Sequence, residues 1–204
     1  MSPPYLIAIA GPSGGGKTTL ARTLQTLLPS QATLLSLDLY YRDLSHLTAD
    51  QRQAVNFDSP DALDPQRLIS DLQALARGEW VEIPAYDFNT HTRKTAGTTV
   101  SAADFLIIEG IFALYWEAVR RLCPTKVFIT APDTVCLKRR LARDVRERGR
   151  TPNSVRRQYA QTVRPMYEQH IYPTQPFADL ALDGQTPPEQ SATTVLAHMG
   201  MSPI

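Results

Sequence analysis

Gly11-Pro12-Ser13-Gly14-Gly15-Gly16-Lys17-Thr18 spells G-x-x-x-x-G-K-[ST], and the residues on either side decide how it is read. Before it, Tyr5 to Ala10 is a short apolar run; after it, Lys17 to Leu28 carries Leu20, Leu24, Leu27 and Leu28 at helical spacing. Strand, glycine-rich turn and helix in that order make a phosphate cradle. The glycines let backbone N–H groups converge on a β-phosphate at a helix N-terminus, where the dipole also favours negative charge. On this pattern Gly11, Pro12, Ser13, Gly14, Gly15, Gly16, Lys17, Thr18 and the adjoining Thr19 bind a nucleoside triphosphate. Lys17 reaches the β- and γ-phosphates and Thr18 offers its hydroxyl to Mg²⁺. A chance glycine-rich turn is the plain alternative, and the motif alone does not separate a kinase from a GTPase, a motor or a switch.

Further along, Thr33 to Leu37, Asp104 to Ile108 and Lys126 to Thr130 are short apolar runs separated by helix-like segments such as Pro65 to Ala76. The alternation predicts an α/β fold: a P-loop NTPase three-layer sandwich with a parallel central sheet. Trp80 to Val100 reads as a small β excursion. Pro132 to Gly149 is a long basic helix, and Ser154 to Glu168 is a second helix that Pro165 should interrupt or end, so that residues of about 133–168 suggest a helical lid. Ala178 to Leu182 is the candidate last strand and Pro188 to His198 the closing helix.

The 204 residues, 43% hydrophobic and 20% charged, fit one globular domain. Lys+Arg of 21 against Asp+Glu of 20 gives a formal charge of +1, which supplies no global field for nucleic acid or a membrane surface. Met-Ser-Pro-Pro at the start lacks a basic region, and the longest apolar stretch, Phe105 to Trp116, is broken by Glu109 and Gly110; the expectation is a cytoplasmic protein. Cys123 and Cys136 have no paired spacing and read as reduced structural thiols.

Two strand-end acids are placed for phosphoryl chemistry. Asp38 ends the second apolar run, where an open α/β sheet presents its ligand crevice, so its carboxylate could take the proton of an attacking hydroxyl. A turn-capping Asp is the alternative. Glu109, at the end of Phe105-Leu106-Ile107-Ile108-Glu109, resembles a Walker B acid holding Mg²⁺ through water, or else is a strand-end acid with no metal.

Lys138, Arg139, Arg140, Arg143, Arg146, Arg148 and Arg150 crowd one segment with only Asp144 and Glu147 as acids. On a helix Arg139, Arg143 and Arg146 share a face and Arg140 lies one turn from Arg143, which suits a lid that closes guanidinium groups on a polyphosphate. A solvated face, or a nucleic-acid-binding helix, uses the same residues.

These residues, together with Asp38-Leu39-Tyr40-Tyr41, Asn56-Phe57-Asp58, Tyr86-Asp87-Phe88, His91-Thr92-Arg93, Glu147-Arg148-Gly149-Arg150 and Gln158-Tyr159, resemble the uridine kinase (uridine-cytidine kinase) family from the P-loop to about Asp179. The resemblance implies transfer of the γ-phosphoryl group of ATP or GTP, with Mg²⁺, to the 5′-hydroxyl of a pyrimidine nucleoside. It implies that Asp38 is the base, that Lys17 and Arg143 assist, and that Arg140 and Arg148 reach the triphosphate. Asp58, Arg143 and Gln158 would contact the ribose, and Tyr41, Tyr86 and His91 the base. It also implies a homotetramer acting in pyrimidine salvage and restrained by end-product triphosphates. Another acceptor on the same scaffold, as in phosphoribulokinase, pantothenate kinase or nicotinamide riboside kinase, is the enzymatic rival. A nucleotide switch is the rival of another class; the sequence has no N-K-x-D guanine motif. Two departures stand out: Ser59, where the family commonly has His, and Leu180-Ala181-Leu182-Asp183-Gly184, where it has an apolar strand and a basic turn.

Overall fold

A computed structural model describes residues 3–202; Met1 and Ser2, part of the start read above, lie outside them. The central sheet has five parallel strands: β1 (Tyr5–Ala10), β2 (Ala32–Ser36), β7 (Phe105–Glu109), β8 (Thr125–Thr130) and β9 (Leu180–Asp183), in spatial order β2-β7-β1-β8-β9. Successive side chains of β1 go to opposite faces, as a period of two requires. Ile7 and Ile9 pack with Leu20 and Leu24 of α1 (Lys17–Leu27) and Val195 and Leu196 of α8 (Pro188–His198). Leu6, Ala8 and Ala10 join the other core, with Leu68, Leu72 and Leu75 of α3 (Pro65–Ala76) and Val119 of α4 (Glu117–Leu122). Helices therefore cover both faces, which is why every residue of β7 is buried.

Before α3 comes α2 (Ala49–Ala54), capped by Thr48 and Gln51 in a reciprocal capping box. The β excursion resolves into two antiparallel ribbons, β3 (Trp80–Ile83) with β6 (Thr98–Ser101), and inside them β4 (Tyr86–Asp87) with β5 (Thr92–Arg93). The basic helix is α5 (Asp133–Arg148), stopped by Gly149 at φ 61.

Pro165 does not end a helix. From α6 (Pro152–Gln158) the chain continues through a π-helical turn (Tyr159–Val163), α7 (Arg164–Met166), a second π turn (Tyr167–Ile171) and a 3₁₀ stretch (Tyr172–Phe177). Arg164 N–H reaches back to the Tyr159 carbonyl and Tyr172 N–H to that of Tyr167. A proline blocks an α ladder by losing a donor and crowding the carbonyl four residues back. The wider π turns on either side change that spacing and carry the chain past the ring.

Among the described residues no helix is long and apolar enough to cross a membrane.

Candidate active site

The turn between β1 and α1 is built against two neighbours. Gly11 has φ 140, and a Cβ there would lie 2.4 Å from the Ile129 carbonyl oxygen of β8; Gly14 has φ 81, and its Cβ would lie 2.6 Å from the Cys136 carbonyl oxygen of α5. Only glycine fits both the backbone conformation and the space. Lys17, 8% exposed, donates from Nζ to the Pro12 carbonyl at 2.9 Å and so lies across the loop. Thr18 Oγ1 donates to Glu109 Oε2 at 3.2 Å, joining the start of α1 to the end of β7. Burial pulls the Lys17 ammonium down and pushes the Glu109 carboxyl up, while each charge favours the other's ionised form. Glu109 is the last residue of β7 itself and faces Ser36 across the register with β2.

Asp38 lies just beyond β2, in a 3₁₀ turn (Leu37–Tyr40) started by Ser36, whose hydroxyl accepts from Asp38 N–H at 3.4 Å. The turn carries the carboxylate past the strand end to the boundary between two cavities. One, of about 530 Å³, runs from the P-loop along Glu109 to Asp183, Thr186 and Ser191. The other, of about 560 Å³, is lined by Tyr41, Asp58, Tyr86, His91, Arg148 and Gln158, among others. Ser13, Asp38, Ile111, Arg140 and Arg143 line both.

Arg140 is the hub of that wall. It is 5% exposed, and donates to Ser13 Oγ at 2.9 Å and to Gln158 Oε1 at 3.0 Å; its guanidinium also lies 3.7 Å from Asp58 Oδ1 and 3.4 Å from Asp144 Oδ2. Gln158 Oε1 also accepts from Arg150, so its oxygen is committed to two arginines. Asp58, 6% exposed, accepts from Thr162 Oγ1 at 3.4 Å. Burial raises the Asp58 carboxyl, with Arg140 and Thr162 opposing.

The far end of the second cavity is aromatic. Tyr41 lies 5.5 Å from Tyr86 between ring centroids and donates to the Phe57 carbonyl at 3.0 Å. His91 stacks on Phe57 at 4.3 Å and 20°. The β4–β5 turn holds His91 at φ 56, a left-handed conformation uncommon outside glycine and enriched at functional sites. Tyr86 Oη and His91 Nδ1 are buried polar atoms without a hydrogen-bond partner, a costly state in a protein interior. Burial, then Arg148, Arg150 and Arg52, hold the His91 imidazole below its usual pKa.

The basic segment divides by position. Arg139 donates to the carbonyls of Gly15 at 3.2 Å and Gly184 at 2.9 Å, and Arg146 pairs with Glu147 at the surface. Arg143 donates to Asp144 at 2.8 Å. Arg139, expected on the polyphosphate, instead ties the P-loop to Gly184, and Thr162, Phe57 and Gly184 brace these cavities without any role that the sequence alone assigns them. Phe57 stands beside Asp58 and Gly184 ends the segment that departs from the family pattern, so both have a local signal; Thr162 has none short of tertiary structure. Ser59 caps the 3₁₀ turn Pro60–Ala62 by accepting from Asp61 N–H at 3.3 Å. Cys123 and Cys136 are buried free thiols, Cys123 pushed up to about 12 by burial.

The sequence matches the model of the Phosphoribulokinase / Uridine kinase family over residues 6–189. The chain belongs to that family. Within the Phosphoribulokinase / Uridine kinase family its relatives include the uridine kinases of Shewanella halifaxensis and Vibrio cholerae. Each is 43% identical over 180 residues, covering 86% of this chain and 85% and 84% of theirs. Similar folds include phosphoribulokinase from Rhodobacter spheroides, at TM-score 0.62 and 16% identity over 92% of this chain and 74% of that one. D-glycerate 3-kinase from Cryptococcus neoformans gives TM-score 0.60 and 18% identity over 83% and 80%.

Proposed function

We propose that this protein is a uridine/cytidine kinase, moving the γ-phosphoryl group of ATP or GTP to the 5′-hydroxyl of a pyrimidine nucleoside to give UMP or CMP in pyrimidine salvage. The observation that carries it is the pair of cavities meeting at Asp38. Each is of a size usual for small-ligand sites. The names of the relatives, uridine kinase, supply the acceptor class. The orphaned Tyr86 Oη and His91 Nδ1 support it, because a pyrimidine edge would complete both.

In this reading Asp38 accepts the 5′-hydroxyl proton as that oxygen attacks the γ-phosphorus in line. The new P–O bond forms while the bond to the β–γ bridging oxygen breaks, and the nucleoside diphosphate leaves with the electron pair. Lys17, Arg140, Arg143 and Arg148 offset charge on the phosphoryl oxygens. Asp58 and Gln158 hold the ribose, Tyr41 packs on the base, and Gly11 to Thr19 cradle the donor phosphates.

Thr18 Oγ1 and Glu109 Oε2 form an oxygen-only pair beside Lys17, and among the described residues no cluster of three or more acidic, His or Cys side chains could hold a metal alone. That suits Mg²⁺, which takes few protein oxygens and completes its shell with phosphates and water. Bound there it would offset phosphate charge. The resemblance extends the reading to a homotetramer restrained by end-product triphosphates in the cytoplasm; light scattering on a sizing column reads the mass.

The test is release of ADP from Mg·ATP with and without uridine, beside Asp38→Asn. Uridine-dependent release that falls by about 10³-fold in the variant, with ATP affinity kept, is the expected result. Retained turnover in Asp38→Asn would remove the base assignment. No uridine-dependent release from folded protein that binds ATP would point to a different acceptor.

A further inference from the structure

Asp144 is the one fully buried carboxylate among the described residues, at 0% exposure, and it stands in the middle of the arginine-rich helix α5. Arg143 Nε lies 2.8 Å from its Oδ1, Arg148 Nη1 3.7 Å from the same oxygen, and Arg140 Nε 3.4 Å from Oδ2. Its main-chain carbonyl is used as well, accepting from Gly149 and Arg150 N–H where the helix ends. The other acid of the segment, Glu147, is exposed and pairs with Arg146.

Burying a carboxylate is expensive unless charge and hydrogen bonds repay it. Here one carboxylate faces three guanidinium groups, of which only Arg143 hydrogen-bonds it, at Oδ1. Oδ2 and the Arg140 Nε 3.4 Å from it are buried without a hydrogen-bond partner, so that pair is held by charge. The surplus positive charge of the cluster lies along the cavities. Arg140 and Arg143 line both cavities and Arg148 lines the second. A γ-phosphoryl group passing from the first cavity to the second must cross that wall. Arg140 and Asp144 are four residues apart, as are Asp144 and Arg148, so these three share one helix face, and Arg143 reaches the carboxylate from the adjacent position.

We propose that Asp144 is a positioning residue. It touches no phosphate; it holds Arg140, Arg143 and Arg148 at the shared wall, so that their guanidinium groups are aimed before the γ-phosphoryl arrives and need no reorganisation when charge moves. The role rests on the phosphoryl-transfer reading, and it makes a prediction that a mere folding role does not. Loosened arginines lose the γ-phosphate, while the P-loop keeps its hold on the other two.

The experiment uses the full chain and two variants, Asp144→Asn, which keeps the shape without the charge, and Asp144→Ser, which leaves room for water. Binding of Mg·ATP and Mg·ADP is measured by calorimetry, thermal unfolding is recorded, and kcat and KM are measured with uridine. Folded variants are expected to bind ATP about tenfold more weakly with ADP affinity within about twofold of the parent. They should lose about 10²-fold in kcat while the uridine KM moves by less than about threefold. Equal losses for ATP and ADP, unchanged ATP affinity, or two variants that do not fold would each assign Asp144 to structure alone and overturn the proposal. If the parent shows no transfer to uridine, the acceptor assignment fails by itself, and the ATP against ADP comparison still decides the role of Asp144.

Discussion

At His91 two effects act in the same direction: burial and three nearby arginines, Arg148, Arg150 and Arg52, all disfavour the imidazolium form. A histidine held below its ordinary value takes up a proton only as the pH falls below about 6.5, so the neutral ring, with one donor and one acceptor nitrogen, persists through neutral pH. If it reads the nucleoside base, the nucleoside KM stays flat from about pH 8 to 6.5 and climbs in more acidic buffer. His91→Asn should raise KM by about tenfold at neutral pH and remove most of that climb. Any residual climb belongs to Asp58, whose carboxyl burial also raises and which stops accepting hydroxyl protons once it is neutral. A KM in the variant equal to that of the parent would detach His91 from base recognition.

Among the elements, the P-loop and α5 are fitted to each other at Gly14. A side chain there must adopt φ 81 and place Cβ 2.6 Å from the Cys136 carbonyl oxygen, backbone that cannot swing aside. Gly14→Ala is expected to cost at least about 2 kcal/mol and to weaken nucleotide binding; an unchanged urea midpoint would show that the two elements can separate. Most elements were legible in the sequence by two different signals: β1 as an unbroken apolar run between turn residues, apolar on both sides because helices cover both faces of the sheet, and α3 by Leu68, Leu72 and Leu75 at helical spacing. Around Pro165 the expectation of an interruption or an end is met in part: regular α pairing gives way on both sides, but the chain stays helical through the proline. The rule that proline ends a helix presumes an α ladder, and the two π turns beside it are set by tertiary packing: Tyr159, Val163 and Ile171 are buried. The edges of β2 and β9 shifted by a residue or two, since a strand ends where its partner's register does.

Across the whole molecule, what could be read from the sequence was which residues sit near the cavities of the candidate site, and what could not was how they are wired together. The P-loop, Asp38 and Glu109 lie next to strand ends, so local pattern places them. Arg140 joins Ser13, 127 positions away, to Gln158 and Asp58, and no periodicity announces a contact of that range. The same wiring predicts how the cavities cooperate. A single molecule carrying adenosine and uridine joined 5′ to 5′ through four phosphates would span both, and should bind about 10²-fold more tightly than ATP, since its second half is held at high local concentration. Affinity no better than that of ATP would mean that the two cavities cannot be filled together. Asp183, Thr186 and Ser191 line the first cavity together with the P-loop, and Arg139 clips Gly184 to Gly15; on the proposed donor site, exchanging Thr186 is the test of whether this end of the cavity sets a preference between ATP and GTP.

Gly184 also shows how little play that clip allows: a Cβ there would fall 2.1 Å from the Gly15 carbonyl oxygen. The loop after β9 and the P-loop thus pack backbone against backbone, leaving no room for a side chain at Gly184, so displacing one without the other would open the contact that Arg139 closes. Gly184→Ala should therefore strain the P-loop itself and weaken binding of Mg·ATP and Mg·ADP alike; unchanged affinity for both in calorimetry would show that the contact is dispensable.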